Sequence, residues 1–467
     1  MHLVDEPADH GPVVAIVGGG ASGTLAAIYL LREAANQRTP LRIALIDRHG
    51  RGQAYSTAHP AHLLNSPAAM MSALVGDPGH LARWAAQAGV AHDGFLPRSA
   101  YGRYLTESLA AAERSARPTA RTSRITAEVV AIRRCSRGRS LRLHLAAGGR
   151  IDADAAVLAT GNLPPAAPGP VPRDRFIADP WKPGALEAAA DGSPVAVLGT
   201  GLGMLDVAVA LTDAHPGTVV HAISRHALLP REHRWPRPAA AVSAIPVIPA
   251  PGGTLHLTRL IREVRASAAA HPGGWQEVVD ALRPQTPGLW ARLTEADQRL
   301  FLAHVARYWE VHRHRVPPET ARRAAALTSA GRLTVHRGRV IAATSQRDGV
   351  RLRIGPGGSA AELAVGWVVN CTGPASDITA TADPLLRHLL GTGMARPDPL
   401  RLGLDADPRG ALRDADGRPA GDLFTLGPLL RGSRYETTAV PEIRDQAAAL
   451  ARHLLASQGH ARPGSAA

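Results

Sequence analysis

Val13 to Val17 is a short apolar run rich in β-branched residues; three glycines follow, and LAAIYLLREAA then spaces its apolar residues as a helix does. That order predicts strand, turn and helix. LRIALID at 41–47 is a second apolar strand ending on an acid, which completes the front half of a βαβ unit. DAAVLATG at 154–161 reads as a buried strand that stops on small residues, an ending that lets backbone approach a ligand. The proline-rich NLPPAAPGPVP at 162–172 predicts an irregular crossover between domains. The rhythm then restarts, with PVAVLG, a turn, LDVAVALTDA and TVVHAIS repeating strand, helix, strand over 194–224.

The alternation then lapses for about a hundred residues, which predicts an insertion into the second unit. Within it, Thr294 and Asp297 make a capping-box-like helix start, and Leu300, Phe301, Val305 and Trp309 recur at helical spacing towards Pro317. Strands resume at LTVHRGRVIAATS and RLRIG, WVVNCTG at 367–373 mirrors the earlier VLATG, and DLFTLG at 422–427 reads as a strand. VPEIRDQAAALARHLLAS starts a last helix with Pro441 in its first turn, and ARPGSAA beyond it is expected to fray. The expected fold is α/β, with two Rossmann-like dinucleotide-binding domains, the second inserted in the first. The outer domain spans 1–165 and 376–467, and the inner 190–375, with a mainly helical insertion at about 230–330.

Length and composition narrow this picture in four ways. The 467 residues are long for one core, so two or three domains are expected. The formal charge of +14 would raise nucleic acid or an anionic surface as partners, but the arginines are scattered without a basic block, and Lys182 is the only lysine. A charged surface is the simpler reading, and no nucleic-acid partner is expected. Cys135 and Cys371 stand far apart outside any CxxC, which argues against a disulfide framework or a cysteine metal site. No apolar run reaches the length of a membrane helix and the N-terminus lacks the pattern of a signal peptide, so a cytoplasmic location is expected.

Gly18, Gly20 and Gly23 fit G-x-G-x-x-G after a strand and at the opening of a helix, where Ser22 also lies. The first glycine allows the tight turn, the second lets backbone reach a pyrophosphate, and the third lets helix and strand pack closely. Asp47, followed by Arg48, ends the next strand, where a carboxylate can accept from ribose hydroxyls. Thr160 and Gly161 close the later strand of the same unit. In VAVLGTGLGMLD the motif keeps Gly199 and Gly201 but has Met204 at the third position. Ser224 and Arg225 then stand where Asp47 stood, which replaces a ribose-binding acid by groups suited to a 2′-phosphate. The acid in one unit and the cation in the other assign FAD to the first and NADPH to the second.

The residues resemble the two-dinucleotide flavoproteins, and within them the bacterial family that includes FAD-dependent urate hydroxylase and the aspartate N-monooxygenase that forms nitrosuccinate. VAIVGGGASG, IDRHGRGQAY, HLLNSPAAMMSA, FLPRSAYGRYL, LGTGLGMLD, ISRHALLP, YWEVHRHRVPP, NCTGP and TLGPLLRG carry the resemblance. It implies a soluble monooxygenase in which NADPH reduces FAD, O2 adds to the reduced flavin at C4a, and one oxygen atom passes to a small polar substrate, expected to be anionic. A urate-like heterocycle and an amino-acid amine both suit that chemistry. The resemblance also puts Gly427 to Gly432 near the flavin and offers Asn65 and Ser66 as hydrogen-bonding partners of its ring.

His304, Tyr308 and His312, four apart beside Trp309, form a candidate polar stripe, with Arg315 to hold an anion. Against this, cations at a helix C-terminus explain Arg313 and Arg315 equally well. His312 and His314 diverge on a helix without a completing acid pair, so no metal is expected. Two alternatives remain open: a flavin-dependent NAD(P)H reductase, and a basic binding protein that kept the fold and lost the chemistry.

Overall fold

The computed structural model describes residues 11–49, 52–135, 140–166, 169, 171–236, 255–355 and 361–459. The expected frayed tail ARPGSAA, and parts of the crossover and of the early insertion, lie outside the described residues.

Two parallel sheets organise the chain. The outer sheet holds β1 (Val13–Val17), β2 (Leu41–Asp47), β3 (Ala120–Thr126), β7 (Ala155–Leu158), β16 (Ala411–Arg413) and β17 (Pro419–Thr425) in the order β16-β17-β7-β1-β2-β3. Only the β16–β17 pair is antiparallel. The inner sheet, in the order β11-β10-β9-β15-β8, is parallel throughout and comes from the middle of the chain. Its strands are β8 (Phe176–Ile177), β9 (Val195–Leu198), β10 (Val220–Ser224), β11 (Leu333–Arg337) and β15 (Trp367–Asn370). Both ends of the sequence thus build one sheet, and the other is threaded between them.

Each sheet is covered on both faces, as parallel strands require. Helices α1 (Ala21–Gln37), α3 (Arg98–Ala116) and α12 (Val440–Gly459) cover one face of the outer sheet through Leu25, Ile28, Tyr101, Leu105, Ile443 and Leu454. The other face meets an antiparallel meander of β4 (Val129–Arg134), β5 (Leu141–Leu145) and β6 (Arg150–Ala153), together with α11 (Pro384–Gly391). A short helix α2 (His80–Gln87) rests on α3. The inner sheet repeats the plan, with α4 (Leu202–Ala214) and α10 (Pro318–Ser329) on one face. A second meander, β12 (Val340–Gln346), β13 (Gly349–Ile354) and β14 (Ala361–Val365), covers the other.

Between β10 and β11 lies the helical insertion: α5 (Leu257–Ala270), α6 (Trp275–Leu282), α7 (Thr286–Arg292), α8 (Glu295–Leu300) and α9 (Ala306–Arg313), followed by α10. Thr294 caps α8 as its sequence predicts, its side chain accepting from Asp297 N. The helix does not then run on to Pro317. A π-helical turn at Phe301–Val305 separates α8 from α9, and α9 ends at Arg313. The extra residue of that turn keeps Phe301, Val305 and Trp309 on the insertion's core, where they join Trp290 and Tyr435. Tyr435 comes from the outer unit, so insertion and outer unit share one apolar cluster.

Candidate functional site

The two glycine turns have the same geometry. Gly18 has φ 111° and Gly199 φ 107°, values that favour glycine, and a Cβ on either would stand 2.3 Å from the Ala159 carbonyl oxygen or 2.2 Å from that of Cys371. In both units the first glycine therefore lets β1 or β9 cross closely over the end of the neighbouring strand. Its amide donates to the strand on the other side, Gly18 N to Ile46 O at 2.7 Å and Gly199 N to Ile223 O at 2.8 Å. Each turn lies where its sheet reverses strand order, between β1 and β7 and between β9 and β15, which is where open α/β sheets bind ligands. The second glycines, Gly20 and Gly201, are extended N-caps of α1 and α4 with no side-chain cap, so the first-turn amides of both helices are open to an anion.

The third position separates the units. A Cβ on Gly23 would lie 1.8 Å from the Gly18 carbonyl oxygen, so α1 packs against its turn as only glycine permits. Met204 occupies the corresponding place in α4 with its side chain fully buried, and Gly203 instead passes close to the Trp181 ring. The turn itself keeps its shape with methionine there.

Asp47 accepts from Gly19 N at 2.7 Å and from His49 N at 2.8 Å, which ties the acid at the end of β2 to the glycine turn. Arg48 pairs with Glu128 at 3.3 Å on the surface. Thr160 and Thr372 end corresponding strands but differ in state. Thr372 donates to Asn370 Oδ1 at 2.7 Å, whereas Thr160 Oγ1 is buried with no partner among the described residues. Gly161, next to it, faces open space. On the far side of the turn, a Cβ on Gly427 would meet Ser22 Oγ at 2.9 Å, so Gly427 lies against the start of α1. Gly432 is set apart, its carbonyl taking the Trp290 indole N–H at 2.7 Å. Open amides, an orphaned hydroxyl and a ribose-length acid make a cradle that fits an anionic dinucleotide.

In the inner unit Ser224 bonds Thr200 Oγ1 at 2.9 Å and caps Ala227 N at 3.0 Å, leaving little of it for a phosphate. Arg225 is exposed at the end of β10 and makes no ion pair among the described residues. The register sets Arg337 of β11 opposite Ser224. His226 is held below its ordinary value by burial and then by the charges of Arg307, Arg225 and Arg337, so four basic groups gather at this sheet end. Arg337 could be reached from the sequence only by knowing that β11 lies beside β10, and Arg307 only by knowing how α9 docks.

Of the expected stripe, His304 and Tyr308 are exposed and His312 is half-buried. The π turn rotates His304 and Tyr308 to the solvent side, Tyr308 being 49% exposed. His312 bonds the Tyr308 carbonyl at 2.7 Å and sits edge-on to Trp275. Arg315, expected to hold an anion, is buried and engaged by Asp280, with Gln276 at 2.9 Å. Asn65 and Ser66 are half-buried. The Asn65 carbonyl accepts from His233 Nε2 at 2.9 Å, and the side chains of Asn65 and Ser66 make no hydrogen bond among the described residues.

A cluster of charged side chains forms where α9 meets the outer unit. Glu310 receives the Tyr435 hydroxyl at 2.9 Å and His314 Nε2 at 2.9 Å, with Arg431 at 3.4 Å. Burial alone would raise its pKa, but His314, Arg431 and Tyr435 outweigh burial and hold it down at about 2. His314 is raised in turn: burial works against its charge and the Glu310 carboxylate prevails. Both side chains are half-buried, His314 being 28% and Glu310 34% accessible. Beside them, Glu436 takes the Trp309 indole N–H at 2.9 Å and lies 3.2 Å from Arg313 Nε.

A second polar cluster joins the two units. Arg98, at the start of α3, donates to Asp206 of α4 at 2.6 Å and to the Leu63 carbonyl at 3.1 Å, and stacks over Trp181 at 5.3 Å. Burial pushes Asp206 up to about 6, and Arg98 pulls against it. His62 Nε2 donates to the Asp206 carbonyl at 3.1 Å while Thr57 supplies its Nδ1, and burial holds this imidazole down at about 4.

This is the two-domain FAD/NAD(P)-binding flavoprotein fold. Residues 15–163 match the family model described as FAD-NAD(P)-binding. No curated protein matches the chain by sequence. Among solved structures, the reduced form of ornithine hydroxylase from Pseudomonas aeruginosa is 16% identical, with 95% of this chain and 100% of that one covered at a TM-score of 0.60. L-lysine 6-monooxygenase from Pseudomonas syringae is 14% identical, with 97% and 100% covered at 0.62. The FAD-bound cadaverine monooxygenase from Erwinia amylovora is 13% identical, with 95% and 94% covered at 0.60.

Proposed function

We propose that this chain is an FAD-dependent, NADPH-using monooxygenase that N-hydroxylates a small amino-acid-like amine. The observation that carries the reading is the pair of congruent glycine turns, each opening a helix at the switch point of its own parallel sheet, on a fold shared over nearly the whole chain with ornithine, lysine and cadaverine hydroxylating enzymes. Those relatives favour an amine over a urate-like heterocycle.

FAD, reduced by NADPH and reoxidised by O2, supplies the oxygen-transfer chemistry; the protein binds, orients and keeps water out. The amides at Gly20 to Ser22 hold the FAD pyrophosphate, Asp47 accepts from its ribose, and Thr160 and Gly427 flank it. At the inner turn, amides after Gly201 hold the second pyrophosphate, and Arg225 with Arg337 takes the 2′-phosphate. Asn65 and Ser66, whose side chains make no hydrogen bond among the described residues, are the candidates to bond the flavin ring. His304, Tyr308 and Arg315 have no place in this reading, because two face solvent and the third is already neutralised.

The test is a purified yellow protein bleached by NADPH under nitrogen, then returned to 18O2 with a panel of amines. Label in a hydroxylamine product is the expected result. Reduction by NADPH with no labelled product from any amine would leave the reductase alternative standing. No flavin reduction at all would overturn both.

A further inference from the structure

Residues 62–68 and 94–98 of the outer unit run side by side. Arg98 N donates to the His62 carbonyl, Leu64 N to the Leu96 carbonyl and Ala68 N to the Gly94 carbonyl, each at 2.8 Å, and Leu63 forms an antiparallel bridge with Pro97. The loop is thus pinned on both sides of Asn65 and Ser66, while these two make no backbone bond to the 94–98 stretch among the described residues. They carry the side chains offered to the flavin ring, so whatever fixes the middle of this loop bears on that ring.

A group that fixes it comes from beyond β10. His233 Nε2 lies 2.9 Å from the Asn65 carbonyl oxygen. A carbonyl only accepts, so the imidazole carries its proton on Nε2 and donates it. Burial holds this imidazole down at about 4 against the pull of the same carbonyl, so the ring is neutral and its one N–H goes to Asn65. His233 is held in turn by the insertion. Arg231 N donates to the Val311 carbonyl at 2.9 Å, Val316 N to the Arg231 carbonyl at 2.9 Å and His233 N to the Val316 carbonyl at 3.0 Å, which stitches its backbone to α9 and to the residues just after it. The ring packs on Phe95 at 5.1 Å, and Trp235 packs on the same phenyl at 5.2 Å. Gly94 has φ 81°, and a Cβ there would stand 2.1 Å from the Trp235 ring, so the outer loop is shaped to receive the segment that carries His233. The insertion therefore reaches the flavin loop through a directed hydrogen bond set within an aromatic contact.

We propose that His233 is a positioning residue: by donating to the Asn65 carbonyl it sets the Asn65 and Ser66 side chains against the flavin ring, and so ties the environment of the flavin to the docking of the helical insertion. The proposal rests on the FAD-binding part of the reading above, and it gives His233 no contact with the reacting atoms.

The purified holoprotein is compared with His233→Phe, which keeps a ring against Phe95 and loses the donor, and with His233→Gln, which keeps an amide donor at similar reach. His233→Leu, smaller and also without a donor, serves as a second donor-free variant should the phenyl ring disturb folding. The visible absorption of the bound flavin and the release of FAD on equilibrium dialysis are read, neither of which needs turnover. The donor-free variants are expected to shift the flavin bands and weaken FAD by about tenfold, and His233→Gln to restore most of both. In an Asn65→Ala, Ser66→Ala background, loss of the donor should change neither readout further, because the groups it positions are gone. A merely structural His233 would lower the melting temperature and leave the flavin bands in place. Unaltered bands and FAD retention in the donor-free variants overturn the proposal, as does an effect that persists in full without the Asn65 and Ser66 side chains, or a wild type that holds no FAD. The expected flavin response without any hydroxylated product would sink the monooxygenase reading and leave His233 its role, whereas labelled hydroxylamine from a flavin indifferent to His233→Phe would do the reverse.

Discussion

Gly20 and Gly23 look alike in the sequence and do different work in the structure. A methyl at Gly20 would meet nothing nearer than the Cα of Gly52 at 3.5 Å, whereas one at Gly23 would collide with the Gly18 carbonyl. Gly20→Ala is therefore expected to fold with an unchanged melting temperature while the added methyl crowds the anion cradle, weakening FAD by about 2 kcal/mol in flavin titrations. Gly23→Ala should instead lower the melting temperature. Equal stability of the two variants would contradict this division. At the inner unit, Arg225→Ala and Arg337→Ala should each raise the KM for NADPH by about tenfold and leave that for NADH in place, since only the 2′-phosphate is lost. Arg225 was legible because it follows the strand that matches β2. Arg337 was not, because the pairing of β10 with β11 crosses more than a hundred residues of insertion. The sequence leaves Arg315 open between an anion holder and, with Arg313, a helix-end cation; Asp280, which neutralises Arg315, reaches it only through the packing of α6 on α9.

The elements themselves were more legible than their partners. Strands β1, β2, β7, β9, β10, β15 and β17 and helices α1, α4 and α12 follow from short apolar runs and helical spacing, because burial on both faces of a parallel sheet writes a strong local signal. The β4–β6 meander did not stand out, since VVAIRR, LRLHL and RIDA are half polar and cover only one face. The π turn was invisible as well: one added residue per turn shifts the facing of His304 and Tyr308 without changing the spacing of their neighbours. Docking of the insertion carries a pH signature. His314 is raised, so its contribution is full below about 6.5 and is lost as pH rises through its folded value. Glu310 is lowered, so its contribution is full above about 4.5 and is lost as pH falls towards about 2. Thermal midpoints should thus be highest between these limits, and His314→Gln should flatten the alkaline limb. An alkaline slope unchanged in that variant would show that His314 does not secure the insertion.

Across the whole molecule, polar links among the described residues join the two units, and the one between α3 and α4, Arg98 to Asp206, is buried. Replacing Arg98 by Met strands the Asp206 carboxylate beside Trp181 and His62, at a cost of about 3 kcal/mol or more. Flavin content should survive, because Arg98 does not touch the glycine turn. The rate of anaerobic reduction by NADPH should fall by about tenfold to a hundredfold, since hydride transfer depends on how the units face each other. Stopped-flow reduction at 450 nm checks this, and a variant that reduces as fast as the wild type would show that alignment is set elsewhere.

The threading of one sheet through the other has a further consequence for how the chain is made. β17 and α12 close the outer sheet, yet a ribosome synthesises them after every strand of the inner one. The middle of the protein can settle while still tethered, whereas its first hundred residues must wait, half covered, for the C-terminal helix to seal them. Glu310 and Arg313 wait too, because Arg431, Tyr435 and Glu436 emerge last, so this charged cluster is among the final parts of the molecule to come into being.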